Sequence, residues 1–192
     1  DDPTDAYMTA YTLWGLAEAE KAKIAVDKAV LKKGLKYLGD QLATQSLRDT
    51  KETYAKHRLV YAQATLLKLL GPSAADSKIR AEWSELLNGT DTEPTILALI
   101  AEASSLRKFK DLHAAALKQL AALAKSGQQG VYFEHTKQKG YYWYSDRDEI
   151  TAQVLNAVVG EPAGEWPQLT RGIITHLMTQ KKQRRWRSTK VR

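Results

Sequence analysis

The stretch from residue 141 to 149 holds the densest set of side chains that could do chemistry. Asp146, Asp148 and Glu149 follow directly on Tyr141-Tyr142-Trp143-Tyr144. Inverting glycoside hydrolysis needs two carboxylates about 6.5–9.5 Å apart, and aromatic rings make platforms for sugar faces. The same acids also suit a helix start, where the macrodipole favours negative charge, and capping is the preferred reading. Asp1, Asp2 and Asp5 put acids at i and i+4, a spacing that can hold Mg²⁺. Pro3 lies inside that pattern and the pattern lies at a chain end, so capping is again preferred. His57, His113, His135 and His176 show no tight ligand spacing such as His-x-x-x-His, and no metal site is expected. Asn88-Gly89-Thr90 is a glycosylation sequon only in a eukaryotic secreted protein. Cysteine is absent, which removes disulfides, Cys-based zinc sites and thiol nucleophiles. No residue is assigned a catalytic, cofactor-binding or metal-binding role, and no cofactor is expected.

Such side chains need a fold to place them. The chain has 192 residues, 43% hydrophobic and 27% charged, which suits one ordered domain with a core. The net charge is +7. Lys181, Lys182, Arg184, Arg185, Arg187, Lys190 and Arg192 equal that excess, and no acid lies among residues 181–192. The domain proper is therefore neutral and its end basic. A nucleic-acid partner requires basic charge on a folded face, so none is expected; the basic segment, with Trp186 inside it, reads as a solvated, frayed end. The longest clean apolar run, Thr95 to Ala101, is far short of the roughly 20 residues that span a bilayer, so no membrane insertion is expected. The chain begins Asp1-Asp2-Pro3 without an initiator Met or signal peptide and reads as an excised domain.

Helical periodicity dominates. The first segment, Tyr7 to Lys21, carries Tyr7, Met8, Tyr11, Trp14 and Leu16, and Asp2-Pro3-x-Asp5 starts it. The second, Asp27 to about Thr44, has Asp27 as N-cap and the stripe Leu31, Leu35, Leu38, Leu42. The third runs from about Thr53 to Leu70 with Leu59, Ala62, Leu66 and Leu70 on a face, and Gly71-Pro72 ends it. The fourth covers Ser77 to Leu87. The fifth starts near Thr92 with Pro94 in its first turn. The sixth carries Leu112, Ala116, Leu120 and Leu123 and is expected to reach Gly127. Val131-Tyr132-Phe133 and Tyr141 to Tyr144 flank Lys139-Gly140 and read as a loop or short aromatic hairpin. The seventh starts at Asp146, with Glu149 completing a capping box. The eighth runs from about Gln168 to Gln180.

These eight segments form four pairs, starting near residues 6, 51, 94 and 146, a period of roughly 45. Thr9-Ala10-x-x-Leu13 matches Thr151-Ala152-x-x-Leu155. Leu31-Lys32-Lys33-Gly34-x-x-Tyr37-Leu38-x-x-Gln41 resembles Leu169-Thr170-Arg171-Gly172-x-x-x-His176-Leu177-x-x-Gln180, with one extra residue in the second copy. That alignment puts His176 opposite Tyr37. The first helix of most pairs is more apolar than the second, which suggests inner helices buried on both sides and outer amphipathic ones. The expected class is all-α, with helix hairpins curled into an α/α toroid; a solenoid of hairpins shares much of the pattern.

Met8-Thr9-Ala10-Tyr11-Thr12-Leu13-Trp14-Gly15-Leu16-Ala17-Glu18-Ala19 resembles the thioester domain of the alpha-2-macroglobulin and complement family, in its bacterial branch. Val26 to Leu38, Asp148 to Leu155, Ile173 to Gln180 and Trp186-Arg187-Ser188-Thr189 resemble later segments of that domain, in order and spacing. The resemblance implies a six-hairpin α/α barrel, of which residues 1–180 supply four hairpins and residues 181–192 a truncated end. It implies a non-enzymatic part of a broad-range endopeptidase inhibitor, exported or periplasmic, with proteases as partners of the full-length parent. The family's internal thioester joins a Cys and a Gln; with no Cys here, it lies outside this chain or is absent. Lys23 stands where the family tends to have Gly in the turn after the first helix, and Arg185 and Arg187 flank Trp186 at a similar departure. Asp1-Asp2-x-x-Asp5 also resembles the metal motif of terpene cyclases, and Gln180-x-x-x-Arg184-x-Trp186 the Gln-Trp repeats of triterpene cyclases, whose role there is structural. The alternatives are an α/α-toroid enzyme on polysaccharide or isoprenoid substrates, and a helical-repeat binding scaffold. Apolar edges of a part-toroid should favour self-association.

Overall fold

The computed structural model describes residues 5–89, 92–136, 147–161 and 164–182. Among them are eight helices and one two-stranded sheet. In chain order these are α1 (Ala6–Lys21), α2 (Lys28–Thr44), α3 (Thr53–Leu69), α4 (Ala75–Leu87), α5 (Pro94–Arg107), α6 (Lys110–Leu123), β1 (Lys125–Gly127), β2 (Gly130–Tyr132), α7 (Arg147–Val158) and α8 (Trp166–Lys182). The chain divides into two compact units. Unit 1 is Asp1–Asn88 with Ala103–Phe109, and unit 2 is Gly89–Glu102 with Lys110–Arg192.

Local chemistry sets the helix starts. Asp5 and Asp27 each accept a hydrogen bond from the backbone N–H two residues on, at 2.9 and 2.8 Å, satisfying donors that no helical carbonyl reaches. Just before α4 the Ser73 N–H and hydroxyl both donate to Asp76. Asp1, Asp2 and Asp146 lie outside the described residues.

The sixth helix stops at Leu123, short of Gly127. Residues 125–127 instead pair antiparallel with 130–132, Lys125 opposite Tyr132 and Gly127 opposite Gly130, around the turn Gln128-Gln129. Gly127 and Gly130 are poor helix residues, and Gly130 has φ +114°, a conformation that favours glycine. The hairpin therefore falls one turn earlier than the sequence suggests: Val131 and Tyr132 form its second strand, and Tyr141 to Tyr144 lie outside the described residues.

In unit 1, α1 packs on α2 and α3. Its buried stripe is Ala6, Ala10, Leu13 and Ala17; Met8 and Tyr11 are 53% and 52% exposed. Small side chains let the helices come close. A Cβ at Gly34 of α2 would stand 2.6 Å from Leu13 Cδ2, so Leu13 fills the space that Gly34 leaves. Leu35, Leu38 and Leu42 complete the buried stripe of α2, each worth about 1.5–3 kcal/mol of apolar burial.

Burial alternates along the chain. In α3, Leu59, Val60, Ala62, Gln63, Ala64, Thr65, Leu66 and Leu67 are all buried, which takes in every side of the helix. Residues 94–101 of α5 are likewise all buried. By contrast α2, α4 and α6 bury a single stripe. The first helices of the outer pairs, α1 and α7, are buried less completely than α3 and α5.

Polar ties cross unit 1. Lys78 Nζ donates to the carbonyls of Leu42, Ala43 and Gln45 at 2.6–2.9 Å, capping the C-terminal end of α2 with a cation. Buried Trp83 donates its indole N–H to Gln63 at 2.7 Å, and Gln63 donates to Glu82 at 2.6 Å. Asp76 also takes a bond from Arg107.

Helices α1 and α5 end alike. Lys23 N–H bonds to Glu20 and Ile24 N–H to Ala19; Lys108 N–H bonds to Ser105 and Phe109 N–H to Ser104. Each is a Schellman cap whose left-handed position holds a lysine, at φ +63° and +59°, where glycine avoids the Cβ clash. The positive φ at Lys23 is the circumstance under which its departure from Gly costs stability. Lys23→Gly should therefore raise unfolding stability by about 0.5–1 kcal/mol, read as a higher urea midpoint at unchanged m-value; an unchanged or lower midpoint would contradict the strain.

Candidate functional site

Unit 2 gathers its polar chemistry where β2, α7 and α8 meet. Strand β2 lies directly on α8. A Cβ at Gly172 would come 2.5 Å from Val131 Cγ2, and one at Gly130 would strike the Gly172 carbonyl and stand 2.8 Å from the His176 N. This close approach fixes the register of α8. Ile173, His176 and Gln180 are buried, at one, four and eight residues past Gly172. Leu35, Leu38 and Leu42 sit at the same steps past Gly34. The two copies therefore match without the extra residue expected from sequence, and His176 (2% exposed) corresponds to Leu38, not to Tyr37 (37% exposed). Where the first copy buries two leucines, the second buries a histidine and a glutamine.

Both polar groups are met. Gln180 donates to Gln129 Oε1 at 2.7 Å. His176 Nε2 lies 3.1 Å from Asp148 Oδ1; a carboxylate only accepts, so Nε2 carries the hydrogen. Nδ1 of His176 is buried without a hydrogen-bond partner. The Tyr132 ring sits 5.4 Å from the His176 ring, and the Arg147 guanidinium lies 4.3 Å over Tyr132. Arg147 also donates to Glu134 at 3.1 Å. Glu134 takes a second bond from Lys125, and that bond, with the two nearby cations, holds its carboxyl below the usual glutamate range. A cavity of about 250 Å³ opens between Gly127, Gln128, Gln129, Gly130, Tyr132, Arg147 and His176.

Two further histidines of unit 2 meet carboxylates. His113 Nδ1 contacts the Ala101 carbonyl at 2.9 Å and Nε2 contacts Glu161 at 3.1 Å. His135 Nδ1 lies 3.1 Å from Glu93 Oε2, which also accepts from the Thr136 N–H at 3.0 Å; Thr136 Oγ1 donates to Oε1 at 2.8 Å. Glu93 is 2% exposed. Burial pushes its carboxyl up, but the bonds from His135 and Thr136 outweigh burial and leave it below the usual range.

Each described sequence candidate has its own local setting, and Asp146 lies outside the described residues. Asp148 is buried and engaged by His176, and Glu149 is half-buried with a partner of its own. Asp5 caps α1 and pairs with Arg58. His57 lies on α3 in unit 1, and the three paired histidines belong to unit 2. Asn88 is the C-cap residue of α4, and Thr90, Arg184 and Trp186 lie outside the described residues. Among the described residues no group of three or more His, Asp and Glu is arranged to hold a metal ion. Sequence reasoning missed Glu93, although an acid just before a helix-starting proline is a visible cap signal. It also missed Gln63 and Glu82, which look like surface residues in a helical pattern. No protein-family model matches the chain, and no curated protein matches it.

Two outcomes follow. Gly130→Ala should cost at least about 2 kcal/mol, through overpacking and its positive φ, whereas Gly127→Ala, with a would-be Cβ 3.4 Å from its nearest atom, should cost under about 1 kcal/mol; equal costs in thermal unfolding would contradict the close contact. A carboxyl depressed by folding contributes stability above its unfolded pKa and loses it as pH falls through the folded one. Glu93→Gln should therefore flatten the acid limb of the stability curve below about pH 4.5, and an unchanged limb would show that Glu93 is not tied as described.

Proposed function

We propose that the chain is part of an α/α toroid of the alpha-2-macroglobulin thioester type. On this reading residues 1–180 supply four of six helix hairpins and residues 181–192 are a basic, truncated or frayed end. The parent is a broad-range endopeptidase inhibitor, exported or periplasmic, that traps proteases. The thioester lies outside this chain or is absent, and the chain's own part is non-enzymatic: it shapes the ring. The observation that carries the proposal is the alternation of burial, with α3 and α5 enclosed and α2, α4 and α6 buried on one stripe.

Other features agree. In unit 1, α1 lies on α3 as well as on α2, the first-helix-to-first-helix packing that successive hairpins of a ring make. Positive-φ residues follow the first helices of three hairpins, at Lys23, Lys108 and Gly160. Against the polysaccharide-enzyme alternative, Asp148 is committed to His176 and is not free to protonate a sugar oxygen. Both the ring and a straight helical-repeat scaffold produce enclosed first helices, so curvature separates them.

The deciding experiment uses the parent protein. Mixed with trypsin, it should suppress cleavage of large protein substrates while a small peptide substrate is still cut, because a caged protease keeps its active site. Loss of both activities, or of neither, would reject trapping. Small-angle scattering of the parent should require a curved helical domain, and a straight helical stack would reject the ring.

A further inference from the structure

We propose that the cavity beside the β1–β2 turn binds a small oxyanion, a carboxylate or phosphate group, held by Arg147, the Gln128 and Gln129 amides and the imidazole of His176. The inference is independent of the inhibitor reading. It starts from the internal repeat. The matching stripe of α2 shows that leucines serve at these steps of an outer helix, yet α8 buries His176 and Gln180. A buried polar nitrogen left without a partner is destabilising, and His176 Nδ1 is such a nitrogen. A group that buries this cost beside an open cavity is a candidate for binding.

The free hydrogen-bonding capacity around the cavity is mostly donor. Among the described residues Arg147 donates to Glu134 alone, leaving guanidinium N–H groups unused. Gln129 spends its carbonyl on Gln180, so its amide N–H₂ remains. Gln128 is exposed on the cavity wall with no bond among the described residues. Glu134 is already matched by Lys125 and Arg147, so it does not leave an unopposed negative charge. Planar guanidinium and amide donors suit carboxylate and phosphate oxygens. A cavity of about 250 Å³ admits such a group and not a long chain. Among the described residues the charged and polar groups facing His176 are Asp148 from α7, Tyr132 from β2 and Arg147 at the cavity edge. A hydrogen on Nδ1 would be one more donor for the anion, with Asp148 balancing the charge through Nε2.

The test titrates the ¹⁵N-labelled full chain with sodium acetate and, separately, inorganic phosphate, at constant ionic strength with sodium chloride as control. Saturable shifts of the Arg147 Nε–H and the His176 ring signals are expected at roughly millimolar affinity. Arg147→Gln, at a half-exposed position that should tolerate change, should weaken binding about tenfold or more. His176→Leu copies the residue at the matching place of α2; it should weaken binding about threefold to tenfold. If His176→Leu fails to fold, Arg147→Gln alone decides. Acetate binding without phosphate points to an acidic side chain of a partner, and phosphate without acetate to a phosphorylated ligand; either supports the site. Shifts no larger than those from chloride, or affinity unchanged in Arg147→Gln, would overturn it.

Discussion

A missing Cβ at matching places on α2 and α8 governs the packing in both units. At Gly34 it admits Leu13, and at Gly172 it admits Val131. Each contact sets how its helix sits on a neighbour, and each thereby selects which side chains one, four and eight residues on are enclosed. Helices that pack through ridges alone can slide by a turn at modest cost, because many ridges fit many grooves. A glycine notch has one occupant and one depth. In unit 2 the backbone of β2 lies against it, so the strand, the turn Gln128-Gln129 and the ring of Tyr132 are all placed relative to His176 by the same contact.

The helices were legible from sequence because their determinants are local. Apolar spacing at three and four residues, Asp5 and Asp27 as caps, and Pro94 in a first turn act within a few residues of themselves. The hairpin was misplaced because its position depends on α8, about forty residues away: Gly130 turns there because Gly172 makes room. The same distance hid the register of the repeat. Leu177 looks like the partner of Leu38 by residue type, yet the enclosed position is His176, since depth from the glycine decides burial. On α1, close helix contact selects alanines for the enclosed face. Of the candidate site, the single residues Asp148 and His176 were in view, while their pairing, a tertiary fact, was not.

The polar core groups have a common form. His113–Glu161, His135–Glu93 and His176–Asp148 join positions 48, 42 and 28 residues apart. Gln63, Glu82 and Trp83 do the same between α3 and α4 in unit 1. Such pairs add little net stability over well-packed apolar residues, because burying charge is costly. What they add is discrimination. An apolar core tolerates repacking, whereas a half-satisfied pair is heavily penalised, so alternative helix arrangements are disfavoured. Uniformly apolar repeats would have many near-equivalent ways to stack; polar pairs at particular places remove part of that degeneracy.

Lys78 carries a further implication. An ammonium group has three N–H bonds, and the carbonyls of Leu42, Ala43 and Gln45 claim all three. Nothing remains on that nitrogen for an incoming electrophile to meet until the end of α2 lets go. Acylating reagents should thus modify the solvent-facing lysines first, and acquisition of label at Lys78 becomes a clock for the fraying of a single helix terminus.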